Sequence, residues 1–139
     1  MVTTDVTLVD TNILLDLVTN DADWADWSQR QLEAAAVRGP VLINDVVYAE
    51  FSVGFLRLEE VEALLSAAQI EMTAMPREAL FLAGKVFQRY RAGGGTRSGV
   101  LPDFFIGAHA AVAKLPLLTR DVRRYRTYFP TVQLIAPMD

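Results

Sequence analysis

Four acidic residues punctuate apolar segments of this chain: Asp10, Glu50, Asp103 and Asp121. Asp10 closes the run Val6-Thr7-Leu8-Val9, Glu50 lies in the helix-like stretch 46–51, Asp103 follows Pro102 at a helix start, and Asp121 follows Leu117-Leu118-Thr119. In an open α/β sheet, ligands bind outside the carboxyl ends of the strands, so acids at strand ends and adjoining helix starts share one crevice. Carboxylates gathered there repel one another. Two unit charges about 4 Å apart cost roughly 4 kcal/mol at an effective dielectric of 20, so the cluster takes up protons or recruits a cation. With no cysteine and a single histidine in the chain, the donors are oxygens, which select Mg²⁺ or Mn²⁺ over zinc. Such an ion keeps open positions, and the chemistry it supports is in-line displacement at phosphorus by an activated water.

Each acid also has a structural reading. Aspartate is among the best helix N-caps, so Asp10 or Asp103 could serve only to satisfy free N–H groups. Glu50 resists that account, since it sits mid-helix beside Val46, Val47, Phe51 and Val53, where an unpartnered acid is costly. Asp121 has Arg124 at i+3 as a local partner. One shared site explains all four more simply than four separate coincidences. Asp16, a helical turn or more beyond the site, reads as a solvating residue of the first helix. His109 reads as a packed or partly exposed helix residue, and as the only histidine it has no partner for a two-histidine, metal-free acid-base mechanism.

The elements that must position these residues follow from hydrophobic period and turn chemistry. Residues 6–9 predict a strand and 12–18 a helix with Ile13, Leu14, Leu17 and Val18 on one face. Residues 23–37 predict a second helix closed by Gly39-Pro40, and 41–43 a buried strand. Helices are expected over 45–56 and 59–69, a strand over 70–73, and a long helix from Pro76 to about Arg91. The run 93–99, with three consecutive glycines, is a loop, read either as a surface connection or as an arm that reaches substrate. Beyond it come a helix over 102–114, a strand over 117–119, a short helix over 122–128 and a last strand over 132–135. Strands alternating with helices imply a parallel sheet covered on both faces. At 139 residues the chain is expected to form one domain, 1–139, without internal repeats or linkers.

Charge is distributed unevenly. The net charge is -4, but residues 1–76 carry 3 basic against 13 acidic side chains, whereas residues 77–126 carry 10 basic against 3 acidic. The second segment, with Arg97, Arg120, Arg123 and Arg124 among its cations, could present a basic face to phosphates. No apolar run approaches the roughly 18 residues of a membrane span, and the first residues lack the basic segment of a leader. The expected setting is the cytoplasm, with no membrane partner. The lack of cysteine excludes disulfides, a thiolate nucleophile and cysteine-based metal sites.

The ordered set Val9-Asp10-Thr11-Asn12, 44–51 with Glu50, 101–110 with Asp103 and Leu118-Thr119-Arg120-Asp121 resembles the four acidic motifs of PIN-domain ribonucleases, most nearly the VapC toxins of toxin-antitoxin pairs. The resemblance runs from Leu8 to about Ile135. It implies a doubly wound, mostly parallel five-stranded sheet of order 3-2-1-4-5 with helices on both faces. It further implies Asp10, Asp103 and Asp121 as metal ligands, Glu50 as the aid to the attacking water, and Asn12 and Thr119 as polar residues orienting the carboxylates. Arg97, Arg120, Arg123 and Arg124 then become candidate contacts to RNA. By the same resemblance the chain is expected to cut RNA with Mg²⁺ or Mn²⁺, leaving a 5'-phosphate and a 3'-hydroxyl, to be restrained by a VapB-like antitoxin, and to form a homodimer. Trp24 and Trp27, one turn apart, read as core, with an antitoxin or dimer contact as the alternative. Phe104-Phe105 stands where the family often carries an aliphatic pair.

Other magnesium enzymes fit less well. A haloacid-dehalogenase-like phosphatase needs a second Asp two residues after the nucleophile, where this chain has Asn12. A receiver domain needs an early acid pair and a Lys after a late strand, but Lys114 precedes it. A PIN-like module that binds RNA or protein without catalysis is the alternative from another class, although all four acids are present.

Overall fold

A computed structural model of the chain describes residues 5–97 and 99–137. The first four residues, part of the leader reading above, and Ser98 of the glycine loop lie outside the described residues. Among the described residues the element order is β1 (Thr7–Val9), α1 (Thr11–Val18), α2 (Ala25–Arg38), β2 (Val41–Ile43), α3 (Asp45–Ser52), α4 (Leu58–Ala67), β3 (Ile70–Met72), α5 (Arg77–Ala92), α6 (Leu101–Ala113), β4 (Leu117–Leu118), α7 (Arg123–Tyr128) and β5 (Leu134–Ile135).

The five strands form one all-parallel sheet of order β3-β2-β1-β4-β5, as the resemblance implied. All three residues of β1 are buried, and since successive side chains of a strand point to opposite faces, both faces of the sheet centre are covered. The edge strands are more open, with Glu71 and Met72 exposed on β3. Because β1 changes direction of numbering between its neighbours, pairing with β2 on one side and β4 on the other, the crevice beyond its carboxyl end is the switch point of the sheet. Leu8 pairs with Leu117 and Val9 with Leu118, so the residues that follow, Asp10 and Thr119, emerge side by side.

Several helix ends differ from expectation for local reasons. Helix α3 stops at Ser52 and not near residue 56. Its last turn tightens through Val53 N–H donating to the Glu50 carbonyl, and Gly54, a poor helix former, follows. Helix α6 starts at Leu101 with Val100 as its cap, so Asp103 lies inside the first turn and is not the N-cap. Gly107 on α6 is required by close packing: a Cβ there would stand 2.4 Å from the Phe129 ring. Phe104 is fully buried among Phe87, Tyr90, Tyr128 and Phe129, with its ring centroid 5.1 Å from that of Tyr128. Of the aromatic pair, Phe104 therefore fills the α5–α6–α7 core, and Phe105 is partly buried against it.

Candidate active site

Asp10 is the most firmly held of the four acids. It caps α1, its Oδ1 accepting from Thr11 N–H at 2.7 Å, while Oδ2 accepts from the Thr119 hydroxyl at 2.8 Å and the Tyr125 hydroxyl at 2.9 Å. Its own N–H donates to the Leu118 carbonyl, which ties β1 to β4 at the crevice. The capping role is thus real, but it uses one oxygen, and the hydroxyls of a distant strand end and a distant helix converge on the other. Asn12 donates from Nδ2 to Thr119 Oγ1 at 3.3 Å and, at the long distance of 3.5 Å, to Asp10 Oδ2.

Glu50 is half-buried on α3 and is reached from α1, where the Thr11 hydroxyl donates to its Oε1 at 2.7 Å. Asp103 is half-buried on the first turn of α6, and its Oδ2 is engaged by the Arg124 guanidinium of α7. Asp121 is exposed in the loop after β4, with its N–H donating to Thr119 Oγ1 at 3.1 Å. The local pairing of Asp121 with Arg124 is replaced by the longer-range pair with Asp103.

Electrostatics link the set. Burial outweighs the hydrogen bonds around Asp10 and, with a contribution from the Asp103 charge, pushes its carboxyl up to about 6. Burial also raises Asp103, and Arg124 opposes this, while Glu50 and Asp121 add to the rise by repulsion. Tyr125, fully buried against Asp10, is raised well above its ordinary range by burial and by the acids around it, so its hydroxyl keeps its proton and donates. All four acids therefore act within one field.

The arginines expected along this face divide. Arg97 and Arg123 are exposed. Together with Asp121, Arg124, Tyr90, Thr127 and Tyr128 they line a cleft of about 370 Å³. A neighbouring cleft of about 500 Å³ is bounded by Thr96, Arg97, Gly99, Val100 and Arg124. Arg120 is turned the other way. It holds Asp16 through Nε and Nη2, both at 2.8 Å, and its guanidinium lies 5.5 Å from the centre of the Trp24 ring. Asp16 also accepts from the Ser28 hydroxyl at 2.8 Å and is only 2% exposed. Asp16 is therefore no solvating residue but the buried end of an ion pair that fastens α1, α2 and the loop after β4. Trp24 and Trp27 are half-buried and packed edge to face: Trp27 packs against the core, as expected, while Trp24 lies against the Arg120 guanidinium.

The glycine loop is built onto the same side. Gly95 N–H donates to the Tyr90 carbonyl, and the Tyr90 hydroxyl accepts from Arg97 N–H at 3.1 Å. A Cβ on Gly95 would stand 2.4 Å from the Tyr90 ring, and Gly94 has φ +96°, in the left-handed region that favours glycine. His109 is buried on α6, where its Nδ1 faces the Asn44 side-chain amide at 3.1 Å, and burial lowers its basicity. The neutral ring joins α6 to the start of α3, which is the packed reading.

Reading residues one at a time missed Thr11, Asp16 and Tyr125. Asp16 carried a usable signal, since it follows the buried Ile13 at i+3 and so shares its face. Tyr125 stands one turn after Asp121, spacing that gave a weaker hint, and the reach of Thr11 to Glu50 depends on how α1 meets α3.

Among the described residues no three acidic or histidine side chains already stand close enough to cage a metal ion. The donor chemistry nevertheless fits a hard divalent cation: every candidate ligand is a carboxylate, burial raises the Asp10 carboxyl so that a nearby positive charge would favour its ionised form, and a guanidinium already stands against Asp103.

A PIN domain family model matches residues 7–130. No curated protein matches the chain. Among solved structures, VapBC2 from Rickettsia felis bound to a fragment of its promoter DNA superposes with a TM-score of 0.73 at 19% identity, over 96% of this chain and 99% of that one. A toxin-antitoxin complex from Klebsiella pneumoniae gives 0.67 at 23% identity over 96% and 98% of the two chains. DNA-bound VapBC from Salmonella typhimurium gives 0.69 at 16% over the same shares. At such identities these likenesses speak for the fold.

Proposed function

Given that this chain belongs to the PIN-domain family, we propose that it is a metal-dependent endoribonuclease and the toxin of a toxin-antitoxin pair. The observation that carries the reading is that Asp10 emerges beside Thr119 at the switch point of the sheet while Asp103 feels the charges of Glu50 and Asp121 and adds its own to Asp10. Mg²⁺ or Mn²⁺ held by Asp10, Asp103 and Asp121 would supply the positive charge that activates water and offsets charge developing on the phosphoryl oxygens. Thr119, Tyr125 and Thr11 fix Asp10 so that it presents its oxygens without searching rotamers. Glu50, held from one side by the Thr11 hydroxyl, keeps Oε2 for the proton of the attacking water. Arg97, Arg123 and Arg124 border the clefts beside Asp121 and take the RNA phosphates, while Arg120 remains committed to Asp16. Such contacts position the strand without reading its sequence. The products are a 5'-phosphate and a 3'-hydroxyl.

The structural neighbours that contain VapBC pairs support a VapB-like antitoxin as the restraining partner; a homodimer acting in the cytoplasm is part of the same proposal. Large apolar side chains left exposed, among them Leu56 and Phe81, are consistent with surfaces that a protein partner covers. Among the described residues no helix is long and apolar enough to cross a membrane.

The test is cleavage of end-labelled total RNA by the purified protein in Mg²⁺ or Mn²⁺, with EDTA and an Asp103→Asn variant alongside. Discrete cuts that vanish in both controls are expected. Binding without cleavage in every lane would favour a catalytically silent module, and equal cutting by the variant would place the activity elsewhere, including in another class of Mg²⁺-dependent phosphoryl chemistry. The phosphate grip has its own check: below saturation, cleavage should fall steeply between low and moderate salt, and a flat response would remove the arginines from the substrate path.

A further inference from the structure

We propose that Arg124 is the resident counter-ion of the acidic site, displaced from Asp103 by the divalent cation and released into the cleft it shares with Arg97. The inference rests on the nuclease reading of the same site. Its starting point is a conflict: the Asp103 oxygen engaged by the guanidinium has lone-pair capacity that a metal ion would need. Both cannot hold it fully. Arg124 is the cation that stands against Asp103, reaching across from α7 to the first turn of α6.

Three features make the arrangement exchangeable. Arg124 and Asp103 keep about a quarter of their side-chain surface, 24% each, so water can enter as the pair opens. Arg124 makes one contact, through Nη1, and not the two-pronged contact that would lock the fork. It also has somewhere to go, since it borders both clefts beside the site, one of about 370 Å³ next to Asp121 and one of about 500 Å³ against the glycine loop. A guanidinium turned into either would sit where the proposed RNA backbone passes, so the same side chain would neutralise the resting site and then grip a phosphate. Arrival of the metal ion would thereby be coupled to readiness for substrate.

The test uses the full chain and reads metal binding, not cleavage. Free Mn²⁺ is measured by electron paramagnetic resonance during titration of the wild type, Arg124→Ala, Arg124→Gln, Arg123→Ala and Asp103→Asn, each checked for folding by circular dichroism. Arg124→Ala and Arg124→Gln are expected to bind Mn²⁺ about fivefold more tightly, the size of a partly exposed ion pair, and Arg123→Ala distinctly less so. In the wild type, the side-chain N–H resonance identified by its loss in Arg124→Ala should shift as Mg²⁺ is added. Unchanged or weaker Mn²⁺ affinity in the Arg124 variants overturns the proposal, as does an equal gain in Arg123→Ala, which would mean general repulsion. An unmoved Arg124 resonance at saturating Mg²⁺ overturns it as well. If Asp103→Asn binds as tightly as the wild type, or nothing binds, the metal site itself fails and the proposal falls with it.

Discussion

Arg120 and Arg124 stand four residues apart, the first in the loop after β4 and the second on α7, and each pairs with an aspartate distant in sequence, yet the two pairs have opposite characters. Arg120 makes a two-pronged contact with an Asp16 that is only 2% exposed, backed by Ser28 and the Trp24 ring. Arg124, which borders two clefts, makes a single contact with an Asp103 that is about a quarter exposed, 24%. One pair belongs to the fold and the other to the site. The difference divides the crevice into a fixed side, where Asp10 is wired by Thr11, Thr119 and Tyr125, and an adjustable side made of Asp103, Asp121, Arg124 and the glycine loop.

The sharpest way to break the comparison is to remove Arg120. Arg120→Ala leaves Asp16 buried with Ser28 as its remaining side-chain partner, and deleting one member of a buried pair costs about 3 kcal/mol or more. Urea unfolding should show that loss, and it should be accompanied by reduced cleavage, because the same loop carries Asp121. A loss under about 1 kcal/mol would put Arg120 in the same class as a surface arginine and erase the distinction.

The fixed side also has a pH signature. Asp10 is raised to about 6 in the folded chain against an ordinary 3.8, so between those values the folded state binds more protons than the unfolded one. Stability must therefore fall as pH rises through that window, by roughly 3 kcal/mol at most. His109 acts in the opposite direction, its lowered basicity costing stability as pH falls below 6.5, so whole-protein curves mix the two. The stability difference between the wild type and Asp10→Asn isolates the first. That difference should shift against the wild type from pH 4 to 7, and saturating Mn²⁺ at pH 7 should restore much of it. A pH-independent difference would mean that the donors around Asp10 already compensate its burial.

How much of this division could be read from the chain depends on sequence distance. The parallel sheet and the ends of its strands were legible because apolar runs and turn residues are local, and so were the places of Asp10 and Asp121 just beyond strand ends, whereas Glu50 and Asp103 lie on helices whose approach to the crevice is set by packing. The order of the strands entered only through the resemblance. What the residues alone left hidden were partnerships set by tertiary packing: Thr11 with Glu50 across 39 positions, Arg120 with Asp16 across 104, and Arg124 with Asp103 across 21. In sequence the two arginines look alike, each close to Asp121, and only the depth of the partner separates them. Helix ends slipped for a related reason, since at Ser52 a side chain bonding back to the Tyr48 carbonyl and a tightened turn decided where α3 stopped.

On the adjustable side, the glycine loop is the next point of pressure. Gly95→Ala places a methyl 2.4 Å from the Tyr90 ring, and that ring is wedged against Phe87, Phe104 and Tyr128. The loop yields more easily than the core, so the expected cost is about 1–2 kcal/mol, with the Arg97 contact to Tyr90 broken first. RNA affinity should weaken while the protein stays folded. Equal affinity would show that the loop only joins two helices.

The smallest expected effect is the most discriminating. Arg124→Ala removes a pair whose members are each about a quarter exposed, and both partners can turn to water, so stability should change by less than about 1 kcal/mol in either direction. The same substitution at Arg120, four residues earlier in the loop before α7, is expected to cost at least three times as much. If Arg124→Ala instead unfolded the chain as readily, Asp103 would be anchored as tightly as Asp10, the adjustable side would not exist, and a cation would have to enter a site with no part free to give way. A near-neutral Arg124→Ala beside a crippled Arg120→Ala would show that two arginines of the same short segment were placed there for different ends, one to hold the crevice and one to leave it.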